Sequence, residues 1–141
     1  MTRDFPTRPV PAVAAVVFRD EKVLLVRRKV PPYAGSWSLP GGAVELGETM
    51  TQAVVREARE ETGLDVEPIG LVGVYDNIVE EEGRIRFHYT LIDFLCRAIG
   101  GRLVPGSDAA DARWVALNDL EEVDLTPLAR TAIREASSVL K

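Results

Sequence analysis

The chain has 141 residues, 46% of them hydrophobic, and a formal net charge of −5. This length suits one globular domain, residues 1–141, and the negative charge argues against a nucleic-acid-binding surface. The single cysteine, Cys96, excludes an internal disulfide framework. The apolar stretch near the N-terminus, about seven residues, is too short for a membrane span and lacks a signal-peptide layout. We therefore expect a cytoplasmic protein that binds neither membranes nor nucleic acids.

The first 28 residues predict an arm and a β-hairpin. Residues 1–11 are polar and rich in proline, which indicates an extended arm. Residues 12–19 (AVAAVVFR) and 23–28 (VLLVRR) predict two strands joined by a tight turn. Arg27 and Arg28 are both candidate substrate contacts, but they lie on opposite faces of the second strand, so only one can point into a site. A solvated strand end is the alternative interpretation of this pair.

A turn-rich loop, residues 29–36 (KVPPYAGS), leads into the segment WSLPGG at residues 37–42. Trp37 in this segment is predicted to pack in the core beneath the loop. Stacking against a substrate base is the alternative role for its indole ring.

The segment after the glycine pair predicts a helix over residues 49–62. Thr49 and Gln52 have the spacing of a capping box, and Gly63 stands where a glycine ends a helix. The packing side of this helix consists of small apolar residues: Ala53, Val54 and Ala58.

The same helix carries an acidic face. Residues three and four apart lie on one side of a helix, so Glu57, Glu60 and Glu61 form one acidic patch. A solvated surface is the simplest interpretation of such a patch. A metal site is the alternative, because several carboxylates together suit a hard divalent cation such as Mg²⁺. Arg56 is placed to fix Glu48 or a neighbouring glutamate through a bidentate pair.

The spacing of these residues decides between the two interpretations. A single spacing pattern connects the glycines, the acidic residues and the arginine of this segment: Gly42, Glu48, Arg56-Glu57, Glu60-Glu61 and Gly63-Leu64. This pattern resembles the Nudix box of the Nudix (MutT-type) hydrolases at every specified position. The resemblance implies an α/β fold of the Nudix type, an α/β/α sandwich with a mixed sheet between helices.

The resemblance also implies a reaction and its participants. The reaction is the Mg²⁺-dependent cleavage of the pyrophosphate linkage in a nucleoside diphosphate joined to another group, with Mn²⁺ as a substitute ion. The catalytic residues that it implies are Glu57, Arg56 and Glu48. The metal-binding groups that it implies are a carbonyl at Gly41 and the side chains of Glu57, Glu60, Glu61 and Asp108.

Downstream of the box, residues 67–75 predict a strand and residues 76–84 (DNIVEEEGR) a polar turn or flexible loop. Glu80, Glu81 and Glu82 are most simply a solvated charge run. Some Nudix branches take the general base from a loop carboxylate outside the box. By that resemblance, one of these three glutamates is the alternative to Glu57 as the base.

Residues 87–97 (FHYTLIDFLCR) predict a central strand, because apolar residues occupy both of its faces. His88 is given a structural or substrate-edge role, and Cys96 that of a buried, inert thiol. Residues 103–104 extend a strand in this prediction, and residues 106–112 form a loop.

The last quarter of the sequence predicts a short strand and a helix. The strand covers residues 113–116, and the helix starts at Thr126 and runs close to Lys141. Its apolar stripe is predicted to consist of Leu128, Ile133, Ala136 and Leu140. Asp108 matches the family's extra metal ligand best, Asp111 is the alternative, and turn capping is the ordinary role for both.

The sequence leaves the substrate and the assembly open. ADP-ribose, a nucleoside triphosphate and a nucleotide sugar are all compatible with the box, because residues outside it select the substrate. A homodimer is compatible with the resemblance. The alternative function is a nucleotide-sensing Nudix module that binds its ligand without cleaving it.

Overall fold

A computed structural model describes residues 3–139. Its seven strands are β1 (Val10–Arg19), β2 (Lys22–Arg28), β3 (Trp37–Ser38), β4 (Gly41–Ala43), β5 (Leu64–Glu81), β6 (Arg84–Gly101) and β7 (Ala109–Ala116). The helices are α1 (Met50–Thr62) and α2 (Pro127–Val139), and a 3-10 helix covers Leu117–Glu122. Neither α-helix is long and apolar enough, within the described residues, to cross a membrane.

The strands form one mixed sheet in the order β3-β2-β1-β6-β5, with β4 beside β1 and β7 beside β2. β1 and β6 run parallel, and the other paired strands are antiparallel. The hairpin of β1 and β2 and the central position of β6 are as predicted.

The two helices cover opposite faces of the sheet because the side chains of a strand alternate between its faces. Towards α1 the buried residues include Val13, Ala15 and Val17 of β1 with Ala53, Val54 and Ala58 of the helix. Towards α2 they include Ala14 and Val16 of β1 with Ala129, Ala132, Ile133 and Ala136 of the helix. The predicted sandwich, with a mixed sheet between helices, is confirmed. Leu140 and Lys141, assigned to the last helix from sequence, lie outside the described residues.

The prediction of a flexible loop over residues 76–84 is wrong. β5 continues to Glu81 and pairs with β6 as far as Arg84, with a turn at Glu82 and Gly83, which both have positive φ. Most side chains near the tip of this hairpin are polar and exposed. The sequence of residues 76–84 therefore does not show the hydrophobic alternation that indicates a strand.

Three smaller differences concern the ends of elements. β7 already begins at Ala109, inside the predicted loop of residues 106–112, and residues 103–104 belong to no strand. β1 begins at Val10, inside the predicted arm. Ahead of it, the Phe5 N–H donates to the Arg86 carbonyl (2.7 Å), so the arm is attached to β6.

Candidate active site

The start and end of α1 are fixed by its capping residues. The Gln52 N–H donates to Thr49 Oγ1 (3.1 Å), and the Thr49 N–H donates to Gln52 Oε1 (2.9 Å). Gly63 adopts a left-handed conformation (φ 78°), and its N–H donates to the Arg59 carbonyl. The helix predicted from these residues is therefore confirmed, and its acidic face is set at a defined rotation towards β4.

Arg56 is the centre of the carboxylate cluster. Its Nε and Nη2 donate to the two oxygens of Glu48 (2.7 and 2.9 Å), which is the bidentate pair expected from the sequence. Its Nη1 donates to Glu57 Oε1 (2.7 Å) and Glu60 Oε2 (3.2 Å), and its Nη2 also donates to the Ala43 carbonyl. One guanidinium thus holds three carboxylates and the strand β4 in register.

The pKa values in this cluster diverge. Hydrogen bonds from the Arg56 side chain and the Glu45 N–H lower the pKa of Glu48 to about 2. Burial raises the pKa of Glu57, although Arg56 opposes this change. Glu48 is therefore a fixed anion that orients the arginine, whereas burial makes Glu57 easier to protonate than an exposed glutamate.

Glu61 lies deeper than the other glutamates. Its Oε1 accepts the Gly41 N–H (2.7 Å). The pKa of Glu61 is raised to about 8: burial is the main cause, the charges of Glu57 and Asp108 add to it, and the Gly41 N–H and Arg28 oppose it. A buried carboxylate with several anionic neighbours is unfavourable unless a proton or a cation accompanies it.

Two glycines allow these close approaches. A Cβ on Gly42 would lie 2.6 Å from the carboxyl carbon of Glu57, so only glycine lets this side chain rest against β4. A Cβ on Gly106 would collide with the Glu60 carbonyl, and the Gly106 N–H donates to the Glu61 carbonyl (2.9 Å). The loop that carries Asp108 is thereby attached to the end of α1.

The two candidate arginines differ as the strand pattern predicts. Arg28 is half-buried, its Nε donates to the Pro32 carbonyl, and Glu61 and Tyr89 are among the groups that interact with its charge. Arg27 is exposed, and its Nε donates to the Gly35 carbonyl. Arg28 is therefore the arginine beside the carboxylate cluster.

Trp37 and Asp111 have other partners. Trp37 is half-buried against the core on the α2 side, with the Arg113 guanidinium 5.8 Å from its ring centre. Asp111 accepts from Arg113 Nε (2.7 Å), whereas Asp108 is close enough to Glu61 to affect its pKa. These contacts favour Asp108 over Asp111 near the cluster.

The glutamates at the tip of the β5–β6 hairpin are not among the charged groups that shift the pKa of Glu57 or Glu61. Glu81 pairs with Arg86 (2.6 Å), and the charged groups that affect the pKa of Glu57 are Arg56, Glu60 and Glu45. Glu57 therefore remains the better-placed candidate for a base.

Sequence reasoning missed Glu45 and Tyr89. Glu45 lies inside the box, where its charge acts on Glu57 and its N–H donates to Glu48 Oε1 (3.0 Å). In the sequence, only the position of Glu45 between Gly42 and Gly47 could have indicated its contact with the cluster. Tyr89 is half-buried in β6, interacts with the Arg28 charge and stacks on Phe87 (ring centres 6.4 Å apart). No local pattern brings Tyr89 and Arg28 together, because they lie on different strands.

The donor set suits a hard divalent cation. Carboxylate oxygens are the ligands that Mg²⁺ prefers, and a cation would favour the ionised forms of the buried Glu57 and Glu61. Within residues 3–139, no three acidic, histidine or cysteine side chains are already gathered as a ligand set. Arg56 and the Gly41 N–H hold the glutamates in separate hydrogen bonds.

Comparison with known proteins agrees with this geometry. An ADP-ribose pyrophosphatase from Methanocaldococcus jannaschii is 43% identical over 115 residues, which cover 82% of this chain and 66%, just under two thirds, of that protein. A crystal structure of a MutT NUDIX hydrolase from Burkholderia pseudomallei is 35% identical, with a TM-score of 0.79, 91% of this chain and 98% of the other being covered. The structure of an ADP-ribose pyrophosphatase from Streptococcus suis is 29% identical, with a TM-score of 0.70 and coverage of 92% of each chain.

The model of the NUDIX domain matches residues 8–136, which is most of the sequence. The matched region contains the capped helix, the Arg56 cluster and the glycine turn described above. The chain therefore belongs to the Nudix hydrolase family.

Proposed function

We propose that this chain hydrolyses the pyrophosphate linkage of a nucleoside diphosphate derivative with the help of Mg²⁺, for which Mn²⁺ can substitute. The observation that carries the proposal is the set of box glutamates held around Arg56 and the Gly41 N–H. Three of these glutamates accept from Arg56 and the fourth from the Gly41 N–H, and two of the four, Glu57 and Glu61, are partly buried and have raised pKa values. A divalent cation is the partner that such an arrangement suits best.

Each group has a distinct role in this proposal. Glu60 and Glu61 would hold the cation together with Glu57, and Asp108 and the Gly41 carbonyl are the further candidates beside them. A bound Mg²⁺ supplies neutralisation of phosphate charge and a more acidic water. Glu57 is the proposed base, because burial raises its pKa towards the range where a carboxylate exchanges protons efficiently.

The surroundings of the cluster supply the phosphate contact. Arg28 presents a cation beside Glu61 on a side chain anchored to the loop at Pro32, so it is placed to bind a phosphate of the substrate. Tyr89 lies next to Arg28 and offers a hydroxyl donor and an aromatic face.

ADP-ribose is the substrate that we place first. Two similar proteins, from M. jannaschii and S. suis, carry the name ADP-ribose pyrophosphatase. A nucleoside triphosphate and a nucleotide sugar are the competing classes. No described contact favours the nucleotide-sensing alternative, since every acidic residue of the box is in place.

A product assay with the purified chain tests the proposal. With ADP-ribose and Mg²⁺ we expect AMP and ribose 5-phosphate, with turnover removed by EDTA and restored by Mg²⁺ or Mn²⁺. Parallel reactions with a nucleoside triphosphate and a nucleotide sugar rank the three substrate classes by kcat/KM.

Two variants define the site in that assay. Glu61→Gln should lower kcat by at least about 10³-fold while the fold is retained, because a ligand of the cation is lost. Glu67→Gln is the matched control, since Glu67 pairs with Arg97 on the exposed side of β5 and should retain activity. Equal activity of Glu61→Gln and the wild type at saturating Mg²⁺ would contradict the assignment.

A further inference from the structure

Asp93 is a buried acid on the face of the sheet that α2 covers. It lies in the middle of β6 between Ile92 and Phe94, and its residue surface is 1% exposed. Neither of its carboxylate oxygens has a hydrogen-bond partner within residues 3–139. The active site described above does not use Asp93, which lies on the opposite face of the sheet.

Within residues 3–139, no positively charged group contributes to the pKa shift of Asp93. From β5, Tyr75 faces it, and from α2 the charged group that acts on it is Glu135. β1 contributes Ala14 and Val16 on this face, which carry no charge. The core on this face of the sheet also contains apolar residues of α2 and of the 3-10 helix: Ala129, Ala132, Ile133, Leu117 and Leu120.

A glycine opposite Asp93 makes room for the contact between α2 and the sheet. Gly73 on β5 is the cross-strand partner of Asp93. A Cβ on Gly73 would lie 2.6 Å from the Tyr75 hydroxyl oxygen and 3.2 Å from Glu135 Oε2. The Tyr75 hydroxyl donates to that same Glu135 oxygen (2.8 Å). Within residues 3–139 this is the one side-chain hydrogen bond between α2 and a strand.

These contacts set the charge state of Asp93. An ionised carboxylate that is buried without a donor or a cation is unfavourable by several kcal/mol, and a neutral carboxyl much less so. The negative Glu135 makes ionisation still less favourable, and together with burial it raises the pKa of Asp93 to about 7.

Ionisation of Asp93 makes opening of the elements that bury it easier, because moving one of them lets water reach the charge. β6 cannot move easily, because it pairs with β1 along eight positions and with β5 along almost its whole length. α2 is attached to the strands by apolar packing and the Tyr75–Glu135 hydrogen bond. α2 is therefore the element that yields first.

We propose that Asp93 is a proton-linked latch for α2: the neutral acid lets the helix pack over β5 and β6, and loss of its proton opens the helix locally. The latch consists of Asp93, Tyr75, Gly73 and Glu135. A proton is its proposed ligand, because within residues 3–139 no group of three acidic, histidine or cysteine side chains is gathered there to hold a metal ion.

Amide hydrogen exchange of α2 between pH 4 and 9 tests the latch, with the Asp93→Asn variant as the reference. After correction for intrinsic exchange, we expect the protection of α2 in the wild type to fall by up to about tenfold per pH unit between pH 4 and 7, where Asp93 is ionised only in the open form, and to stay constant above pH 7. The protection of α2 in Asp93→Asn should not show this fall. Equal pH dependence of α2 in the two proteins would overturn the proposal.

Three variants locate the effect. Asp93→Asn should remove the pH dependence of α2 protection, and Glu135→Gln should move its midpoint to lower pH, because a negative neighbour is lost. Asp76→Asn, an exposed change on β5, should leave the wild-type behaviour intact. A pH dependence that survives in Asp93→Asn would overturn the proposal, as would a dependence that EDTA or added Mg²⁺ alters. None of these readouts requires hydrolase activity.

Discussion

Asp93 on β6 and Gly41 on β4 lie in one row of the sheet. The acidic side chains on the two faces of the sheet nevertheless have opposite surroundings. Asp93 pairs with Ala14, and Ala14 pairs with Gly41, whose N–H donates to Glu61. On the α1 side, the acidic residues have a guanidinium and a backbone N–H as partners. On the α2 side, Asp93 has no hydrogen-bond partner in the described residues.

The difference shows how buried acids can be used in two ways. On the α1 side, fixed donors hold the carboxylates near one another and leave them able to receive a cation. On the α2 side, the absence of donors keeps the acid neutral, so it responds to pH. Carboxylates therefore serve as candidate cation ligands on the α1 side and as a proton-dependent contact on the α2 side.

The largest effect is expected from removal of the donor on the α1 side. Arg56→Ala leaves Glu48, Glu57 and Glu60 without their shared partner, so we expect a lower unfolding free energy. We also expect kcat/KM to fall by at least about 100-fold, because the orienting group is lost. Urea unfolding at pH 7 and steady-state kinetics measure the two losses. Unchanged stability would show that Arg56 does not hold the cluster.

The next effect has the opposite sign. Asp93→Asn should stabilise the protein at pH 8, because the amide removes a buried group that ionises. The pKa of Asp93 is raised from 3.8 to about 7. The corresponding penalty is absent below pH 4, grows between pH 4 and 7 and is constant above, with an upper limit of about 4 kcal/mol. Unfolding of both proteins at pH 4 and pH 8 measures it. An equal difference at both pH values would contradict this account.

Gly42→Ala tests whether Glu57 must lie against β4 for activity. The new Cβ would occupy the place of the Glu57 carboxylate, the flexible end of a side chain that can move away. We therefore expect about a 100-fold loss of kcat with little change in melting temperature. Gly70→Ala is the control, since a Cβ there meets no atom within 4 Å. Wild-type activity of Gly42→Ala would show that Glu57 functions from another position.

The smallest effect concerns the cap that positions α1. Thr49→Ala removes the acceptor for the Gln52 N–H and should lower the unfolding free energy by about 1 kcal/mol. Activity should change little, because Arg56 and Gly41 still fix the carboxylates. Thr51→Ala serves as the reference for a change inside the same helix. A larger loss for Thr51→Ala than for Thr49→Ala would argue against the cap.

Much of the α1 side could be predicted from the sequence, because its determinants are local. Thr49 and Gln52 mark the start of the helix, and the pairing of Arg56 with Glu48 follows from the spacing of the box. The neighbours of the cluster are less readable. Tyr89 and Arg28 stand on separate strands, and only the folded sheet brings them together.

The buried acid on the α2 side could not be predicted, because its surroundings depend on how the strands and the helix pack together. In the sequence Asp93 is one acid within an apolar strand, with no sign that both of its oxygens lack donors. The length of the β5–β6 hairpin was missed for a related reason. Polar residues such as Asp76, Asn77 and Glu80 are typical of a loop. They form a strand here because they pair with β6.

Calorimetric titration of the wild-type protein with Mg²⁺ tests most directly whether the crowded glutamates of α1 form a cation site. We expect saturable binding that is lost in Glu61→Gln and retained in Glu67→Gln, with a rise in melting temperature only where binding occurs. Absence of saturable binding in the wild type, or undiminished binding in Glu61→Gln, would contradict the account.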